Sequence, residues 1–227
     1  MSLQIESLLI HGGVDGDVTT GAVNVPVFQT STFKQDGLGK TRGGWEYARS
    51  GNPTRDAVEK LIADLEHAKY GLAFATGLAA INTVLSLFKS GDKLVVSDNI
   101  YGGTFRILDN VFNNFGITYT IVDTSDLKAV EAAIDENVKA IYVESPANPL
   151  LTVTDLKAVS DIAHRHGLLS IVDKIVNILK SYRESYKFVH DSDFLSCFCR
   201  NRRMCHRSRM AYKRFHSAEA LSQSDKL

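Results

Sequence analysis

Long hydrophobic runs are missing from the 227 residues, and no apolar stretch approaches the roughly 18–20 residues that span a bilayer. Membrane-spanning helices are therefore not expected. The opening residues, Met1-Ser2-Leu3-Gln4-Ile5-Glu6, hold neither a basic segment nor an apolar one, so no secretory signal is expected and the cytoplasm is the expected compartment. Cysteine occurs three times, too seldom for a disulfide framework, and free thiols are the plain reading. Internal repeats and low-complexity tracts are also lacking. Collagen-like, coiled-coil and wholly disordered chains are excluded by a composition of 44% hydrophobic and 23% charged residues, which is that of an ordinary globular protein.

Net charge is zero only as a sum. Residues 1–173 carry 14 Lys and Arg against 21 Asp and Glu, while residues 174–227 carry 12 against 5. All 16 glycines and all 4 prolines precede residue 174, and all 3 cysteines follow it. The chain changes character there, and the reading divides it into an extended arm (1–52), a partial large domain (53–173) and an aberrant basic tail (174–227).

Residues 1–50 are rich in Gly, Thr and Ser with few periodic apolar positions, and read as an extended arm or a set of loops. Pro53 suits a first helical turn, and Val58, Leu61, Ile62 and Leu65 follow at helical spacing, which predicts a helix over 53–65. Strands are then expected at 71–76, 93–97, 117–122, 139–144 and 168–172. They alternate with helices over 77–89, 104–114, 126–136 (capped by Asp126) and 155–166 (capped by Thr154). Such alternation predicts an α/β fold, a parallel-rich sheet with helices on both faces. Near-continuous apolar strands such as Leu94-Val95-Val96 fit burial on both sides.

Ligands of such sheets bind at the carboxyl ends of the strands, so the residues just beyond each strand are the candidates. Thr76-Gly77-Leu78 is a small-residue turn into a helix, where free N–H groups accept an anion or where the chain merely turns. Tyr101-Gly102-Gly103-Thr104 sets an aromatic ring on a flexible loop, able to stack on a planar ligand or to cover the sheet end. Asp173 ends an apolar strand, where a carboxylate is costly unless paired. It either caps a following helix or binds a cationic nitrogen. Arg49, beside Tyr47, is either a phosphate clamp, its guanidinium fork matching phosphate oxygens, or a surface arginine.

In order, Tyr47-x-Arg49-x-x-Asn52-Pro53-Thr54, Ala75-Thr76-Gly77-Leu78-Ala79-Ala80, Tyr101-Gly102-Gly103-Thr104, Glu144-Ser145-Pro146-Ala147-Asn148-Pro149 and Ile171-Val172-Asp173 resemble the pyridoxal-phosphate-dependent Cys/Met metabolism family of transsulfuration enzymes, the cystathionine gamma-synthases, cystathionine beta- and gamma-lyases and methionine gamma-lyases. Residues 26–33 also resemble that family's N-terminal arm, and the likeness runs over about 7–173. It implies a fold-type I, aminotransferase-like large domain, here incomplete, and pyridoxal 5'-phosphate as cofactor. It implies that the Gly77 and Leu78 N–H groups bind the phosphate, and that Tyr101, the residue taken as catalytic, stacks on the pyridine ring. Asn148 would touch the ring's phenolic oxygen, and Asp173 would pair with the pyridine nitrogen. Tyr47 and Arg49 would reach the phosphate of a neighbouring subunit, so the resemblance implies a homo-oligomer, a shared-site dimer or a tetramer of such dimers. The implied substrates are sulfur amino acids or an O-acylhomoserine, and the implied chemistry is carbon–sulfur lysis or synthesis.

The resemblance breaks after Asp173. The family continues Asp-Asn-Thr, whereas Lys174-Ile175-Val176 stands here, and the family's Ser-x-Thr-Lys motif, whose lysine forms the Schiff base, is absent from 174–227. The expectation is a chain that is inactive or nearly so, a truncated fragment or a decoy subunit, with a tail derived from a frameshift or a disrupted gene. Zinc at Cys197, Cys199, Cys205 and His206 is not expected, because the spacing fits no common signature. The basic cluster over 200–214 could meet nucleic-acid phosphates, but a solvated run is the expected reading.

Overall fold

The computed structural model describes residues 5–12, 16–66, 68–147 and 150–174. The basic cluster, the cysteines and all of the tail beyond Lys174 lie outside the described residues. Two compact units divide at Ala73 and Phe74.

In the first unit, helix α1 (Ile5–His11) packs against α2 (Pro53–Leu65), and a short antiparallel pair, β1 (Gln35–Gly37) and β2 (Lys40–Thr41), lies between them in the chain. The reading of residues 1–50 as loops misses α1, which is only seven residues long. Helix α2 spans the range its pattern predicts. Its Asn52 cap accepts the Thr54 N–H at 2.9 Å and donates to the Phe28 carbonyl, while the Thr54 hydroxyl donates to the Pro26 carbonyl and accepts the Phe28 N–H. The Asn52-Pro53-Thr54 motif therefore stitches the arm to the start of the helix as well as capping it.

The second unit is a four-stranded, wholly parallel sheet flanked by helices. Its elements in chain order are α3 (Gly77–Leu85), β3 (Lys93–Ser97), α4 (Gly102–Ile107), β4 (Thr118–Val122), α5 (Leu127–Ala132), β5 (Val138–Glu144), α6 (Leu156–Arg165) and β6 (Leu169–Asp173). The strand order is β4-β3-β5-β6. One face packs Leu94, Val96, Ala140, Tyr142 and Ile171 against Ile81, Leu85, Leu108 and Phe112 of the α3 and α4 side. The other packs Val95, Ile141 and Val143 against Val130 of α5 and Val159 and Ile162 of α6. Both faces are covered, as the continuous apolar strands predict.

Four expectations are corrected. Residues 71–76 form no strand and pair with none among the described residues. Leu72 is 59% exposed and Phe74 36% exposed, and the Ala73 N–H goes to the Glu59 carboxylate at 2.9 Å rather than to a neighbouring strand, so the run joins no ladder. Helix α3 stops at Leu85 rather than at 89, because the chain tightens into i→i+3 bonds at Leu87 and Phe88 and the Asp92 carboxylate takes the Lys89 N–H. Helix α4 begins at Gly102, two residues early, then widens into a π-helical turn over Leu108–Phe112 and ends at Gly116, whose φ of 78° suits glycine. Asp155 caps α6 in place of Thr154, its carboxylate accepting the Ala158 N–H at 3.0 Å. Thr154 is buried, with its hydroxyl 2.7 Å from that of Thr124.

Candidate functional site

Tyr101 and Asp173 lie at the carboxyl end of the sheet, both tied to the end of β5. Helix α3 precedes β3 in the chain and packs Ile81 and Leu85 on the face of the sheet that holds Leu94 and Val96, with Gly77 as its first residue. The Thr76 side chain accepts the Ala79 N–H at 3.1 Å, and its carbonyl takes the Ala79 and Ala80 N–H groups. The N–H groups of Gly77 and Leu78 have no acceptor within the helix, and they carry the positive end of the helix dipole. A Cβ built on Gly77 would meet nothing within 4 Å, so the space beside that residue is open.

Tyr101 ends the β3–α4 connection and is 41% exposed. The flexible loop expected there is instead tied down. The Tyr101 N–H donates to Glu144 Oε2 at 2.5 Å, and Glu144 itself is 3% exposed. A Cβ on Gly103 would fall 2.3 Å from Tyr101 Cε1, so glycine at 103 gives the ring its seat. Glu144 is the last residue of β5, and its N–H donates to Ser97 Oγ at the end of β3.

Asp173 is the last residue of β6, paired in register with Glu144 and only 1% exposed. Its Oδ2 accepts the Tyr142 hydroxyl at 2.8 Å. The reading of Asp173 as a cap for a following helix concerns residues outside the described ones. The connection after β5 is pinned by bonds from Thr154 N–H to Ser145 Oγ and from Ala147 N–H to the Thr152 carbonyl. Asn148 lies within it, outside the described residues.

Tyr47 and Arg49 belong to the first unit. The Arg49 guanidinium carbon sits 4.7 Å from the centre of the Tyr47 ring, a cation–π contact. The turn beneath them is closed on the Tyr47 carbonyl by the Ser50 and Gly51 N–H groups and the Ser50 hydroxyl. Arg49 is exposed and Tyr47 half-buried.

Thus the fold brings Tyr101 and Asp173 together through Glu144. Sequence reading overlooks two members of this cluster, Tyr142 and Glu144. The same signal that singles out Asp173, a carboxylate ending an apolar strand, also holds for Glu144, and Tyr142 shares its face by the period of two along a strand.

These donors suit pyridoxal phosphate: two helix-terminal N–H groups for a dianion, an aromatic face for a ring and a buried carboxylate for a ring cation. No group of three or more His, Cys, Asp or Glu among the described residues is arranged to hold a metal ion, and no described helix is long and apolar enough to cross a membrane.

Comparison with known proteins agrees. The chain is 54% identical over 169 residues to a cystathionine beta-lyase of Lactococcus lactis subsp. cremoris, covering 74% of this chain and 44% of that one. It is 51% identical over 172 residues to a cystathionine gamma-lyase of Bacillus subtilis, covering 76% and 45%. The crystal structure of a cystathionine gamma-lyase from Lactobacillus plantarum, complexed with L-serine, superposes with a TM-score of 0.72 at 56% identity, over 75% of this chain and 44% of that one. The chain spans less than half the length of the curated relatives it matches. Residues 6–178 match the family model for Cys/Met metabolism PLP-dependent enzymes, and the chain belongs to that family.

Proposed function

We propose that these residues are the cofactor-gripping part of a pyridoxal-phosphate-dependent carbon–sulfur lyase or synthase acting on sulfur amino acids such as cystathionine, cysteine or methionine, or on an O-acylhomoserine. When bound, pyridoxal phosphate supplies an electron sink for a carbanion at the substrate Cα. The chain's residues do the rest. The Gly77 and Leu78 N–H groups hold the phosphate. The Tyr101 ring covers one face of the pyridine and excludes water from it. Asp173 keeps a proton on the pyridine nitrogen, because a carboxylate beside it favours the cation. Asn148 meets the phenolic oxygen. Tyr47 and Arg49 reach the phosphate held by a second copy, so a complete site takes two chains.

The observation that carries this reading is the pairing of Glu144 and Asp173 at the ends of adjacent strands, one holding the Tyr101 backbone and the other buried on the same face. Family membership supports the cofactor, and the beta- and gamma-lyase relatives support the carbon–sulfur chemistry.

The 227 residues contain no Ser-x-Thr-Lys motif. On this reading the polypeptide takes the cofactor non-covalently and turns over no substrate, and its contribution to an intact copy is Tyr47 and Arg49. Titration with pyridoxal phosphate tests both statements. Saturable binding is expected, and peptide mapping after borohydride reduction should show no pyridoxylated lysine. A modified lysine overturns the non-covalent reading, and absence of binding overturns the cofactor site. The expected frameshift in the tail is tested by reading the nucleotide sequence past codon 173 in the other two frames, where a Ser-x-Thr-Lys motif should appear.

A further inference from the structure

We infer that Tyr142 is a positioning residue for the cofactor ring, acting through Asp173. The inference rests on the assignment of Asp173 to the pyridine nitrogen and adds to it.

Tyr142 lies on β5, opposite Ile171 of β6, so Asp173 is its diagonal neighbour on the same face of the sheet. A diagonal separation is within reach of an aromatic side chain, and the phenol O–H donates to Asp173 Oδ2 at 2.8 Å. Both residues are 1% exposed. The Tyr142 ring is part of the apolar cluster that holds Leu94, Val96 and Ile171. A phenylalanine would serve that packing equally well, whereas the hydroxyl adds a group that must find a partner once buried. Its partner is the carboxylate assigned to the ring nitrogen.

Two consequences follow for Asp173. The phenol fixes the plane of a carboxylate that could otherwise turn about its terminal torsion. It also favours the charged form, since a hydrogen bond to a carboxylate stabilises the anion against burial. Only the charged and correctly turned carboxylate can hold a protonated ring nitrogen. An ionised carboxylate has about four acceptor positions, so accepting the phenol leaves capacity for a ring N–H.

The test compares two ligands on the full 227-residue chain: pyridoxal phosphate and its 1-deaza analogue, in which a carbon replaces the ring nitrogen. Affinities are read from absorbance titrations. The unsubstituted chain should prefer pyridoxal phosphate by about tenfold or more, the size of one hydrogen bond to a charged group. Two variants without a donor, Tyr142→Phe and Tyr142→Met, should lose most of that preference while binding the deaza analogue unchanged. In an Asp173→Asn background, Tyr142→Phe should have no further effect on the preference. A purely structural tyrosine would weaken both ligands equally. An undiminished preference in both variants, or an equal loss for both ligands, overturns the inference and leaves the site assignment standing. Absence of binding by the unsubstituted chain, or binding without preference, overturns the assignment of Asp173 and the inference with it.

Discussion

The backbone N–H of Tyr101 is held by the side chain of Glu144, 43 residues further along the chain. That bond joins the loop after β3 to the end of β5 and makes a strand-end loop into a fixed platform. Because Glu144 stands in register with Asp173, the platform and the buried acid keep a set spacing. The arrangement makes the site depend on residues that need not touch the cofactor.

Removing the acceptor should loosen this platform. Glu144→Ala leaves the Tyr101 N–H without its partner and should lower the unfolding free energy by about 1–3 kcal/mol, while Glu144→Gln, which keeps a side-chain oxygen, should lose less. Urea denaturation of the two variants beside the parent chain measures the difference. Equal losses would show that the bond to Tyr101 is not what Glu144 contributes.

Gly103 separates stability from ring position. Alanine is a better helix former than glycine by about 1 kcal/mol, and α4 has its N-terminal turn here. Its Cβ, however, would strike the Tyr101 ring, which is free to swing because it is half exposed. Gly103→Ala should therefore leave the melting temperature unchanged or raised and should weaken pyridoxal phosphate binding severalfold. Thermal melts and cofactor titration on the same preparation check both halves.

Gly77 should behave similarly for a different reason. The chain itself leaves room for a methyl group there, so Gly77→Ala should fold normally. The methyl would stand beside the N–H groups assigned to the phosphate, and affinity for inorganic phosphate and for pyridoxal phosphate should fall together. A variant that loses neither would remove the start of α3 from the site.

The Lys93–Asp135 pair gives a pH dependence away from the site. The hydrogen bond from Lys93 Nζ, at 2.8 Å, is the main cause that holds the Asp135 carboxyl below its usual range. A carboxyl whose value is lowered on folding contributes stability that is present above the unfolded-chain value of about 3.9 and is lost as the pH falls through the folded one. Asp135→Asn should melt below the parent at neutral pH, and the gap should close below about pH 4. A gap that persists unchanged into acid would mean that the charge of Asp135 plays no part.

Much of the second unit was legible in the residues because its signals are local. The run Lys93–Ser97 is apolar and short, and it is the strand predicted. In the first unit, Pro53 and the apolar spacing behind it mark α2 from end to end. Helix ends were less legible. Asp155 and Thr154 are neighbours with equal capping chemistry, and only burial of Thr154 against Thr124 assigns the cap to Asp155. The run 71–76 has strand composition, yet strand formation depends on a neighbour that local sequence cannot supply.

By itself the sequence determined the alternation of strands and helices and the family, because each is written in short-range pattern and ordered motifs. The tertiary structure alone decided that Glu144 holds Tyr101 and that Tyr142 holds Asp173. Those partners stand 43 and 31 residues apart in the chain and meet only where parallel strands come into register, so no local pattern records them.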